Sequence, residues 1–161
     1  MLFCQEGFEA MTLRSAGQEV EVRELRIEDY DAVQRLWTEA GLPFRPQGRD
    51  RPEKVAVELE RGTGILLGAE VEGRLAGVVL GTHDGRKGWI NRLAVAPAYR
   101  RQGIARRLVG EVESRLEALG LDVTAALIES YNQESLGLFK ALGYRHTPEV
   151  DYVSKRRSEA T

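Results

Sequence analysis

Between Gly85 and Gly110 the chain carries seven cations and no acid, although its net charge is -2. They are Arg86, Lys87, Arg92, Arg100, Arg101, Arg106 and Arg107. Within this run Trp89, Ile90, Leu93 and Val95 form an apolar, strand-like stretch closed by Pro97. Arg100-Arg101-Gln102-Gly103-Ile104-Ala105 then opens a predicted helix with an apolar stripe of Ile104, Leu108, Val112, Leu116 and Leu119. The first N–H groups of a helix lack internal partners and sit at the positive end of its dipole, so an anion fits there with little reorganisation. Gly103 and Ala105 leave that backbone accessible. Arginines in a first helical turn oppose the dipole, which makes sense of them only if an anion sits among them. No G-x-x-x-x-G-K-[ST] or G-x-G-x-x-G occurs in the chain, which argues against nucleoside triphosphates and dinucleotides.

Two ordered motifs give this anion site a family context. Arg100-x-x-Gly103-x-Ala105, after a strand ending Leu93-Ala94-Val95-x-Pro97, resembles the [QR]-x-x-G-x-[GA] signature of the GNAT superfamily of acyl-CoA-dependent N-acetyltransferases. Asn132-x-x-Ser135-x-x-Leu138-Phe139-x-x-Leu142-Gly143-Tyr144 is similar to that family's later helix motif. The resemblance runs from about Val20 to about Lys155. It implies acetyl-CoA as cosubstrate, with Arg100, Arg101, Gln102, Gly103, Ile104, Ala105 and Arg106 around the pyrophosphate. The backbone of Leu93, Ala94 and Val95 would pair with the pantetheine arm, and Asn132 and Phe139 would border the thioester. It further implies transfer of acetyl to a primary amine of a small molecule, amino acid or peptide, by direct attack in a ternary complex. A homodimer is implied by the resemblance alone.

Two departures from the family pattern bear on chemistry. Relatives often place an acid in the strand leading to Val95, where this chain has Asn91 and Arg92, and often a Tyr where it has Phe139. Thiolate is a good leaving group, with a thiol pKa of about 8.5, so a missing acid does not argue against turnover. Replacement candidates are Glu129 after the next strand, His83 beside Asp84, and Tyr131, with Tyr152 a further possible acid. The departures also motivate an alternative, a non-catalytic acyl-CoA-binding sensor or docking module. The acceptor would be met by Leu42 to Arg51, where Arg45 and Arg49 between prolines suit a carboxylate, with Trp37 a further candidate lining residue.

The remaining residues supply a scaffold of one domain: 161 residues at 42% hydrophobic content bury one ordinary core. Met1 to Gln18 lacks periodicity and reads as a loosely ordered extension or an early start upstream of Met11, with the domain at residues 19–157. Expected elements are a strand at Glu19–Leu25, helices at Glu28–Ala40 and before Arg61, strands at Ile65–Val71 and Leu75–Thr82 turning at Glu72-Gly73, and the strand and helix of the anion site. A buried strand at Leu121–Ile128, a helix at Asn132–Leu142 and one or two final strands within Tyr144–Arg156 follow. This order reads as α/β, a GNAT-like mixed, mostly antiparallel central sheet flanked by helices. One Cys, Cys4, excludes an intrachain disulfide, and two His with one Cys do not make an ordinary zinc site, so no metal is expected. No apolar run approaches a membrane span, and the first residues lack a signal peptide's cations, so a cytoplasmic setting is expected. A pI of about 5.8 without a nucleic-acid-binding motif argues against nucleic acid.

Overall fold

A computed structural model describes residues 13–15 and 18–158. Alternating valines put Val20 and Val22 on one face of β2 (Gln18–Glu24), which pairs antiparallel with β1 (Leu13–Ser15). Ordered pairing therefore starts ahead of Glu19, within the segment read as an extension. Helix α1 (Tyr30–Glu39) buries Tyr30, Val33, Leu36 and Trp37 at helical spacing, and α2 (Pro52–Glu60) starts on a proline at its first position. Strands β3 (Gly64–Val71) and β4 (Arg74–His83) meet at Glu72 and Gly73, both at positive φ (50° and 74°), the geometry of a tight hairpin turn. Then come β5 (Gly88–Val95), α3 (Ile104–Ala118), β6 (Thr124–Ala126) and α4 (Gln133–Ala141).

The six strands lie in sequence order; β1 to β5 are antiparallel, and β6 joins β5 in parallel after the α3 crossover. Helices α3 and α4 cover one face, where Ile104, Leu108, Val109, Val112, Leu116 and Phe139 pack on Leu67, Val79 and Ile90. Helices α1 and α2 cover the other, with Trp37 and Val55 over Leu66, Val78, Leu80 and Ala94. Strand glycines let α3 lie close. A Cβ on Gly81 would stand 2.4 Å from Val112 Cγ1, and one on Gly88 2.4 Å from Leu116 Cδ1. Gly81→Val should therefore destabilise the fold by about 2 kcal/mol or more, read from the urea midpoint, because a packed core resists added volume.

Three expectations need correction. The apolar stripe of α3 stops at Leu116; Leu119 is its C-cap and 56% exposed, since the chain turns away there at Gly120. The strand expected at Leu121–Ile128 shrinks to three residues with Val123 and Leu127 exposed, because β6 has a strand neighbour on one side only. No strand forms within Tyr144–Arg156, where Val150, Tyr152 and Val153 are exposed and bury no apolar face. Cys4 lies outside the described residues.

Candidate active site

The anion loop forms as its residue types require. After β5, Pro97–Tyr99 makes one 3-10 turn, Arg100 is extended, and Arg101 (φ 63°) and Gly103 (φ 79°) take left-handed conformations before α3 begins. Gly103 is the N-cap and offers no side chain to the first turn, which holds no acid. A Cβ built on Gly103 would meet nothing within 4 Å, so the backbone faces open space. The uncapped amides of Ile104, Ala105 and Arg106 thus present the positive end of a 15-residue helix to solvent.

The cationic run divides by role. Arg101 and Arg106 are exposed at this mouth, and their side chains make no hydrogen bond or ion pair among the described residues. Gln102 Nε2 turns back to Ala98 O at 3.5 Å. Arg100 is turned elsewhere: Nε donates to Val95 O (3.2 Å) and Nη2 to Ala40 O at the end of α1 (3.0 Å). Arg107 donates to Val20 O, and Arg92 is paired with Asp50.

The strand before this loop is open along one edge. Pairing of β5 with β6 runs from Gly88↔Thr124 to Ile90↔Ala126 and stops, while β5 continues to Val95. From Asn91 onward the β6-side edge has no strand partner among the described residues, leaving backbone polar groups other than Val95 O, which Arg100 Nε holds, open to an extended ligand. On the β4 side, Leu80 pairs with Asn91 and Val78 with Ala94, so Arg92 and Leu93 together oppose Val79 in a bulge. Arg92 absorbs the bulge at φ 46°. Leu93 and Val95 lean on the α3 side, and Ala94 is buried on the α1 side.

Loop 42–51 closes over the α1 side. Its Asp50 is buried (5% exposed) and accepts from Arg92 Nε (2.8 Å), Arg92 Nη2 (2.7 Å) and Arg45 N (2.7 Å), while Asp50 O accepts from the Tyr30 hydroxyl. Sequence reasoning did not single out Asp50; its signal was the conjunction of an acid in this loop with Arg92 in a mostly apolar strand. The side chains of Arg45 and Arg49 are exposed, with Arg49 Nε 4.0 Å from Asp50 Oδ2. Arg49 also lines an open groove of about 550 Å³ with Arg51, Lys54, Glu58, Arg61 and Thr63. Glu58, which sequence reasoning missed, has its carboxyl raised above the usual range by burial and then by the Asp50 charge. Trp37 does not line an acceptor site: it is 1% exposed, packed edge-on against Tyr30 and tilted against Phe44.

The proton-transfer candidates are not brought together. His83 is the last residue of β4, at the opposite end of β5 from the anion loop, with Nδ1 accepting from Gly85 N (3.2 Å) and Nε2 against Gly62 O (2.9 Å). Both ring nitrogens are engaged, so His83 is not poised as a base. Asp84 does not orient it; its carboxylate accepts from Lys87 N and Arg86 N at 2.8 Å each, and these bonds lower its pKa. Glu129 and Tyr131 are exposed just past β6, Tyr131 at 76%. Asn132 caps α4, its Oδ1 accepting from Ser135 N (3.1 Å). Phe139 is 6% exposed and packs edge-on against Tyr144 at 4.8 Å.

Tyr144 in turn donates to Glu113 Oε1 (2.6 Å), tying the end of α4 to α3, and burial followed by Glu113 raises its phenol pKa well above 10. A raised phenol pKa contributes stability that is whole below pH 10 and declines as pH climbs above it, because the unfolded chain releases the proton first. Tyr144→Phe should flatten this alkaline loss, measured as the urea midpoint at about pH 8 and about pH 11.

Solved structures of several acetyltransferases share this fold. Aminoglycoside acetyltransferase AAC(6')-Iy, solved with the bisubstrate analogue CoA-S-monomethyl-acetylneamine, superposes with a TM-score of 0.72 at 18% identity, covering 85% of this chain and 98% of that one. The PaiA N-acetyltransferase of Thermoplasma acidophilum, solved with coenzyme A, gives 0.67 at 22% identity over 78% and 89%. A ribosomal-protein-alanine N-acetyltransferase from Brucella melitensis biovar Abortus 2308 gives 0.65 at 18% identity over 85% and 99%. These likenesses establish the fold. No helix among the described residues is long and apolar enough to cross a membrane. The family model for the acetyltransferase (GNAT) family matches residues 22–144, most of the sheet together with the anion loop and the α4 motif. The chain belongs to that family, and it is an acetyl-CoA-dependent N-acetyltransferase.

Proposed function

We propose that this enzyme acetylates a primary amine by direct attack on acetyl-CoA in a ternary complex, with the acceptor held between β5 and loop 42–51. The observation that carries the reading is the continuity of two unfilled hydrogen-bonding surfaces. Among the described residues the β5 edge from Asn91 to Val95 lacks a strand partner, and it leads into an α3 first turn without a side-chain cap. The uncapped amides from Gly103 to Arg106 suit the pyrophosphate, with Arg101 and Arg106 as mobile counter-charges. Leu93 and Val95 offer backbone groups to the pantetheine amides, as an added strand would. A neutral amine then attacks the thioester carbonyl, and the thiolate leaves without requiring a protein acid. Glu129, exposed just past β6 and ahead of the Asn132 motif, is proposed as a solvent-linked base. The test is release of free thiol from acetyl-CoA with a panel of amino acids, short peptides, polyamines and aminoglycosides. Thiol release with none of them, alongside tight coenzyme A binding, supports the alternative of a non-catalytic acyl-CoA module.

The acceptor is proposed to bear a carboxylate. Arg45 and Arg49 are exposed on a loop that is itself pinned, and Arg49 shares its groove with three further cations, Arg51, Lys54 and Arg61, against two acids, Glu53 and Glu58. Each amine is therefore to be compared with its carboxamide analogue in native protein and in Arg45→Ala and Arg49→Ala variants. Loss of a charged hydrogen bond should cost about 1.5–3 kcal/mol, expressed in acceptor KM rather than acetyl-CoA affinity. Equal use of acid and amide, or preference for polycations such as spermidine, would make these arginines surface charge.

A further inference from the structure

We propose that Asp50 and Arg92 are positioning residues for the acceptor: their ion pair latches loop 42–51 onto the bulge of β5, beside the open strand edge. The proposal rests on the acetyl-transfer reading for its kinetic arm only.

Three observations converge on this pair. Asp50 is the one charged or polar residue that is buried among the described residues; two of its carboxylate bonds fix loop against strand and the third, from Arg45 N, closes the loop on itself. Arg92 is held at φ 46°, a conformation that side-chain-bearing residues avoid and that persists only where surrounding contacts over-determine it. Its two guanidinium bonds to Asp50, at 2.8 and 2.7 Å, provide that constraint in the bidentate geometry that gives direction as well as strength. The bulge also begins where β6 parts from β5 at Ile90↔Ala126, so the latch acts at the mouth of the cleft. A second arginine strengthens the same join. Arg100 links Val95 O, at the end of β5, to Ala40 O, just before the loop. The loop is thus tied at both ends to the strand expected to carry the pantetheine.

Asp50 is not proposed as the base, although it brings a carboxylate to the strand position where an acid was expected. Both of its carboxylate oxygens are already occupied, by the two Arg92 guanidinium bonds and by the bond from Arg45 N. The pair therefore orients the acceptor without exchanging its proton.

Arg92→Gly is the informative variant, because glycine adopts the bulge conformation freely while the guanidinium is lost. Asp50→Asn breaks the pair from the other side, and the Arg92→Gly/Asp50→Asn double variant leaves neither charge unpaired should a single variant fold poorly. Readouts are hydrogen–deuterium exchange at the amides of Arg45, Gly48 and Asp50, coenzyme A affinity by calorimetry, and steady-state kinetics with neamine and an alanine-initiated pentapeptide as acceptors. In each variant loop exchange should quicken by about tenfold or more, and coenzyme A affinity should stay within about twofold. Acceptor KM should rise by about tenfold with kcat nearly unchanged, and the double variant should be no worse than either single one. Arg92→Lys, which offers a point charge without the fork, should fall between native and Arg92→Gly. Unchanged loop exchange overturns the latch. Faster exchange with unchanged acceptor KM, or losses that merely follow the melting temperature, overturn the positioning role. Native protein that binds coenzyme A yet acetylates neither probe counts against these two acceptor classes, and the exchange rates still decide the latch.

Discussion

Replacing Gly103 by valine should lower coenzyme A affinity by at least about 2 kcal/mol, roughly thirtyfold, while losing any single arginine of the run should cost less. Gly103 caps α3 at φ 79°, and the space beyond its Cα is empty of protein. A β-branched side chain would fill the approach to the first-turn amides and would also strain the left-handed backbone. Strain and obstruction are separable. Gly103→Asn places a side chain at the same point in a residue type that tolerates the left-handed region, so its loss of affinity reports obstruction. Calorimetry on the folded variants checks the expectation, and near-native affinity in both would put the phosphates elsewhere.

The second large effect is expected at Phe139. Its ring is 6% exposed between α4 and the α3 side of the sheet and meets Tyr144 edge-on, so Phe139→Ala should cost about 3–4 kcal/mol of stability. Denaturant unfolding measures it. Coenzyme A affinity should fall as well, because α4 loses its anchor and its N-terminal cap at Asn132 shifts with it. Phe139→Tyr should fold normally and change kcat by less than about threefold, since thiolate departure needs little acid assistance near neutral pH. A large gain in kcat for this variant would mean that thiolate protonation limits the native enzyme.

The anion loop was legible because its signal is local. A positive-φ glycine after an apolar strand and before a periodic helix admits few structures, and the boundaries of α1, α2 and α4 followed from Pro, Gly and Asn at their ends. The failures trace to non-local causes. The burial of Trp37 depends on what packs over α1, the exposure of Leu119 on the turn at Gly120, and the exposure of Leu127 and loss of final strands on which sheet edges find neighbours. The Asp50–Arg92 pair joins residues 42 positions apart, beyond the reach of periodicity. His83 illustrates the reverse error. Its residue type invites a catalytic role, and backbone groups of Gly85 in the β4–β5 turn and of Gly62 before β3 occupy its two ring nitrogens.

The site account turns on whether coenzyme A lies along the open edge of β5 and ends at the first turn of α3. Amide exchange measured residue by residue, with and without saturating coenzyme A, tests this most directly. The account predicts new protection at Leu93, Val95 and Ile104 to Arg106, with little change in the turn from Asp84 to Lys87 or in residues 145–158. Protection confined to those distant segments, with the β5 edge and the α3 turn unaltered, would contradict it.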